Sequence, residues 1–185
     1  MNPQPNDETP ASINLKHLLD SIEHALRLEH FLPAIILIYA GIDAAAWLAS
    51  DTNEEVGKQF RRWVDHWMLP AKLLLATALE LYAARCAFLH TFTADSGLSK
   101  TGKARRIAYA TREASAKWLQ ARLDAMGRSD IVVVHIADLY DAFRLGFAAY
   151  LDSLHSDPVA CARTMAKMDR YTFHLHGEAL KNFLQ

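Results

Sequence analysis

Apolar residues recur at helical spacing along most of the chain. Leu15, Leu18, Leu19, Ile22 and Leu26 form one stripe, which predicts an amphipathic helix over about residues 12–30. Pro33 suits the first turn of a second helix reaching about Ser50. Thr52-Asn-Glu-Glu55 has capping-box spacing and predicts a third helix ending at Pro70, with Val56, Phe60, Val64 and Trp67 facing inward. Residues 71–92, AKLLLATALELYAARCAFLHTF, read as one long central helix. Pro70 cannot continue a preceding helix, and Leu74, Ala78, Leu81, Ala84 and Phe88 then repeat with helical period. Residues 93–103 form a polar loop with two glycines, and 105–110 fit either an extended segment or a helix start. Thr111 caps a basic helix that Gly127 ends. Ser129 or Asp130 opens a long helix through Leu154, and Pro158 opens a shorter one; 171–185 stay ambiguous. Residues 1–10 read as a loosely attached tail. The expected fold is all-α: one domain over 11–185, an up-and-down bundle of six or seven helices.

Composition agrees with that expectation. Hydrophobic residues make up 51% of 185, enough for a real core, and β-branched runs are almost absent. The net charge of −1 gives no overall pull toward nucleic acid or membrane. The charge is unevenly spread, however. Residues 1–55 are acidic, whereas 98–128 are basic enough to steer an anionic partner. Nothing resembles a secretory signal, and Cys86 and Cys161 are too isolated for a disulfide framework or zinc knuckle, which points to the cytoplasm.

The stretch 31–49, FLPAIILIYAGIDAAAWLA, is apolar enough to raise the membrane question. Asp43 at its centre would cost about 2.5–3.5 kcal/mol in a bilayer, and the flanks carry no Lys/Arg bias. A buried core helix without membrane contact is therefore expected, and its carboxylate needs a partner. That partner is either a backbone or tyrosine hydrogen bond, or an ion pair with Arg85 or His90.

Arg85-Cys-Ala-Phe-Leu-His90 stands out because it ends the most apolar segment and is followed by the polar loop and the basic stretch. Spacing alone does not single it out, since Arg61/His66, Arg128/His135 and Arg170/His176 are similar. Positions five apart lie about 140° around an α-helix, so convergence needs a long arginine and a frayed last turn. Arg61/His66 lies among Lys58, Arg62 and Asp65 and reads as a solvated face.

The stretch LELYAARCAFLHTFTADSGLSKTGKARRIAYA resembles the HEPN superfamily (higher eukaryote and prokaryote nucleotide-binding domains), small helical bundles marked by Arg-x(4–6)-His near the end of a core helix. The motif similarity covers about residues 80–110. The resemblance implies a homodimer whose two motifs face one cleft, with metal-independent ribonuclease chemistry in many members and toxin or defence roles in several. It places the catalytic arginine on Arg85 and the histidine on His90. Two positions depart from the pattern. Cys86 stands where active members often have a polar residue. Phe92 stands where the members modified by a nucleotidyltransferase carry tyrosine, so adenylylation at that position is excluded.

The chemistry suits these residue types. An imidazole titrates near neutrality and serves as base or acid, and a guanidinium fork matches phosphate oxygens. Asp43 and Glu80 are candidate supporting acids. Lys100, Lys103, Arg105 and Arg106 either hold the RNA backbone by sequence-independent attraction or form a solvated basic loop. No metal or cofactor is expected: His17, His24, Glu29, His30 and His135 include no Glu-x-x-His pair. Cys86 beside His90 reads as an inert thiol. The competing reading is a catalytically inactive module that binds RNA, a nucleotide or a protein partner. A cognate antitoxin protein is a further expected partner.

Overall fold

The computed structural model describes residues 10–50 and 54–168, with the side chains of 10–13, 90 and 91 excepted. Both termini, the ambiguous 171–185 segment and the expected cap residue Thr52 lie outside the described residues.

The first two helices follow the apolar pattern. α1 (Pro10–Arg27) lays its leucine stripe against α2 (Phe31–Ala49). α2 is the centre of the fold, because Ile35, Ile38, Tyr39, Ile42, Ala45 and Leu48 are all buried. It packs against α1, α3 (Val56–Trp63), α5 (Ala78–Thr91), α8 (Ile136–Ser153) and α9 (Pro158–Met168). It is long and apolar enough to cross a membrane, and half of its apolar window is buried inside the protein.

The third helix ends at Pro70–Ala71, as expected, but changes pitch on the way. After α3 the backbone widens into a π turn over Val64–Met68, then tightens into the short α4 (Leu69–Ala71), which contains Pro70. The widening has two visible causes. A proline ring within a helix crowds the carbonyl four residues back, so a wider turn just ahead of Pro70 relieves that clash. Against the same turn lies Gly146 of α8, where an added Cβ would meet Met68 Cα at 2.7 Å and Trp67 O at 2.9 Å.

The long central helix expected over 71–92 is a correction. Lys72 to Thr77 are not helical, and α5 begins at Ala78. Thr77 and Glu80 form a capping box. The Glu80 backbone N–H donates to Thr77 Oγ1 (3.3 Å), and the Thr77 backbone N–H donates to Glu80 Oε2 (2.8 Å). That box fixes the start of α5, while Lys72 is drawn to Asp138 and Asp141 of α8 at 2.7 and 3.0 Å.

The fold is predominantly helical, but it is not the pure bundle expected. β1 (Arg106–Ala110) and β2 (Ile131–His135) pair in parallel, with Arg106 opposite Ile131 and Ala110 opposite His135. The short α6 (Gly97–Lys100) precedes β1, and α7 (Ala116–Ala125) crosses between the strands. Residues 131–135, expected at the start of a helix, are a strand because Ile131, Val132, Val133 and Val134 are an apolar, β-branched run. The helix starts only at Ile136, where His135 accepts the Ala137 N–H through Nδ1 (3.2 Å). The 111–126 helix likewise starts later, at Ala116 under the Ser115 cap, and Gly127 follows it with φ +70°.

The small sheet docks on the helical core through aromatic side chains. The Tyr109 hydroxyl of β1 meets the Tyr39 hydroxyl of α2 at 2.6 Å, and the ring of Phe88 in α5 packs on both. Burial holds both phenols well above the ordinary tyrosine range.

Candidate functional site

Arg85 lies on the middle of α5, facing α2. Its Nε and Nη2 both reach Asp43 Oδ2, at 2.7 and 2.6 Å. The side chains are 17% and 23% exposed, so the pair is sheltered but not sealed. Burial works against the Arg85 charge, yet hydrogen bonding and attraction to Asp43, with a smaller contribution from Cys86, leave it above its usual range. Of the partners expected for Asp43, the structure therefore supplies Arg85. A charged carboxylate in this apolar helix is tolerable because a fixed cation offsets its desolvation.

Cys86 is half-buried between Arg85 and Tyr82. Burial, followed by the Cys86 contact, raises the Tyr82 phenol. His90 lies in the last turn of α5, five residues beyond Arg85 on a regular helix, and its side chain is outside the described residues. Phe92 ends the helix in the left-handed region (φ 52°) and is exposed.

Glu80 is placed differently from Asp43. It caps α5 and forms an ion pair with Arg105, so both groups are committed to holding β1 against the start of α5. Desolvation opposes the Glu80 charge, but the Arg105 and Thr77 hydrogen bonds outweigh it and hold the carboxyl below its ordinary range. Arg106 pairs with Asp130 and stands 3.8 Å from Asp95. Arg128 and then Arg106 pull the Asp130 carboxyl far down.

Lys100, Arg105 and Arg106 do line one open cleft of about 450 Å³, together with Asp95, Ser99 and Asp130. Of the four bases proposed to hold RNA, two are thus already neutralised by carboxylates. Lys100 and Lys103 are exposed and make no ion pair among the described residues. No group of three or more His, Cys, Asp or Glu side chains able to hold a metal occurs among the described residues.

The pair set aside from the sequence, Arg61/His66, shares one surface cleft. Both residues line a shallow cleft of about 510 Å³ with Glu54, Lys58, Arg62 and Asp65. The π turn contributes to this arrangement. A turn closed from i to i+5 rotates less per residue than an α turn, so His66 swings back toward the Arg61 side. The only advance signal was Pro70, whose effect on the turn before it depends on what packs there. No protein-family model, curated protein or solved structure matches the chain.

Proposed function

We propose that the chain is a HEPN-like, metal-independent endoribonuclease. It would act as a cytoplasmic homodimer with two Arg85/His90 motifs facing one RNA cleft. The observation that carries this reading is the sheltered Asp43–Arg85 pair, whose arginine lies on the helix that bears His90. An arginine has five N–H donors, and two spent on Asp43 leave others for phosphate oxygens in a fixed orientation.

In this reading His90 takes the ribose 2′-proton or protonates the leaving oxygen, and the second protomer's histidine does the other. Arg85 offsets the charge that builds on the phosphorus-bound oxygens. Asp43 is a positioning residue for Arg85. Lys100 and Lys103 supply the exposed charges for the RNA backbone. A protein antitoxin would act by covering this cleft. The apolar helix α2 serves as core in this reading, and no membrane is involved.

A second reading rests on the same pair. If the Asp43 contact ties Arg85 down completely, the domain binds RNA, a nucleotide or a protein without cutting. Cleavage of RNA by purified protein in EDTA, beside His90→Ala and Arg85→Ala, separates the two. Cutting by the unsubstituted protein alone, leaving cyclic-phosphate ends, supports the nuclease. Absence of cutting with RNA retained on the protein supports the binding module.

A further inference from the structure

We propose that the outward sides of α2 and α5 form one apolar surface, which a second copy of this chain covers across a two-fold axis. The inference rests on the two-copy arrangement proposed above and names the surface that joins the copies; it does not rest on cleavage. Along α2, Leu32, Ile36, Ala40, Ala44 and Trp47 recur every three or four residues on one side of the helix. None of them is fully buried, and Leu32, Ala40 and Trp47 are exposed. The core side of the same helix is a different set, Ile35, Ile38 and Ile42, at 0–4% exposure. The stripe is therefore a second apolar face of α2, which the helices packed around it leave open.

The neighbouring helix repeats the pattern. On α5, Leu79, Tyr82, Cys86 and Leu89 follow one another at spacings of three, four and three, the seam spacing of paired helices, and all four are only half-buried. α2 and α5 pack together, and the Asp43–Arg85 pair joins them. Asp43 is the only Asp, Glu, Lys or Arg of α2, and on α5 Glu80 is turned to Arg105. A helix that faces water ordinarily carries charged residues on its outer side. Here the two outer sides together carry one carboxylate and one guanidinium, and these offset each other.

Charge and area select the occupant. A face whose charges are a matched pair is electrically neutral and does not repel its own copy, as a two-fold interface requires. Interfaces between permanent partners are depleted of charge in the same way. With 19 and 14 residues, α2 and α5 are about 28 and about 21 Å long. At axes about 10 Å apart they present a face of about 20 by 25 Å. Corrugated by side chains, such a face approaches the roughly 800 Å² per partner of a stable complex. A bilayer is the poorer occupant, because the ion pair lies midway along the stripe and charges are costly in hydrocarbon.

The test is sedimentation velocity of the full chain over a range of concentrations, beside Ala40→Glu and Leu32→Glu. Both positions are exposed in the single chain, so each variant should keep the parent's circular dichroism and Tm. We expect the parent to be a dimer. Each variant should raise its dimer Kd at least about tenfold, because it buries an unpaired charge in the seam. A dimer lost in both variants upholds the interface even where no protein cuts RNA, and in that case the ribonuclease reading alone fails. A parent that stays monomeric, or a dimer that either folded variant retains, overturns the interface whether or not RNA is cut. A monomeric parent that floats with phosphatidylcholine–phosphatidylglycerol vesicles, where the variants do not, overturns it too and gives the face to a lipid surface.

Discussion

Gly146→Ala is the sharpest test of the packing that shapes the π turn. In an open helix this change stabilises, since alanine is favoured over glycine by about 0.5–1 kcal/mol. At Gly146 the new methyl would lie 2.7 Å from Met68 Cα, 2.9 Å from Trp67 O and 3.0 Å from Met68 N. All three are backbone atoms, so no rotamer change relieves the overlap. Either α8 or the turn must move. Overpacking of this kind costs about 1–3 kcal/mol. Because the overlap is with backbone, the cost falls in the upper part of that range, about 2–3 kcal/mol, and set against the propensity gain a net loss of about 1–2.5 kcal/mol follows. For a chain of this length that lowers Tm by about 2–10 °C. Differential scanning calorimetry and urea titration would measure it, with Gly97→Ala as control. A Cβ at Gly97 meets nothing within 4 Å, so that variant should stay within about 0.5 kcal/mol of the parent. A Gly146→Ala protein as stable as the parent, or more so, would refute the idea that close approach of α8 holds the wide turn.

Other expectations concern the polar groups of the core and the sheet. Asp43→Asn should lose about 1.5–3 kcal/mol, the range for hydrogen bonds to charged groups. A double-mutant cycle with Arg85→Met, read by urea unfolding, should give a coupling of at least about 0.5 kcal/mol; additive effects would deny the pair. Tyr109→Phe leaves the Tyr39 hydroxyl buried opposite a ring edge and should cost about 1–3 kcal/mol, whereas Tyr39→Phe with Tyr109→Phe should recover part of that. Glu80 supplies a pH dependence of definite sign. Its folded pKa is depressed, so its contribution is complete above the ordinary glutamate range and is lost as pH falls through the lowered folded value. Urea midpoints measured downward from neutral pH should therefore decline more steeply for the parent than for Glu80→Gln. Equal slopes would exclude Glu80 as a source of acid lability.

Several features were legible from residues alone because their causes are local. The leucine stripe of α1, Pro33 near the start of α2, Gly127 after α7 and Pro158 at the start of α9 act through neighbours in sequence. Asp43 in an apolar helix demanded a partner on energetic grounds, and Arg85 fills that role. The Thr77–Glu80 box was equally local and readable, but the continuous apolar run from Leu73 onward concealed it. The valine run of β2 was visible too, yet a strand is stable only when paired, and its partner β1 lies beyond the whole of α7.

Other features depended on contacts between distant segments. Arg105 and Arg106 look like exposed phosphate ligands in sequence; Glu80, Asp95 and Asp130 claim them only once β1 has docked. Arg61/His66 read as a solvated face because Lys58, Arg62 and Asp65 crowd the same helix. The wide turn that carries His66 lies just ahead of Pro70 and against Gly146 of α8. Periodicity determined which segments are helical and which face is buried, since both follow from local backbone geometry. Pitch, strand pairing and the partner of each charge were decided by tertiary structure, since each is set by whichever remote backbone or side chain arrives beside it.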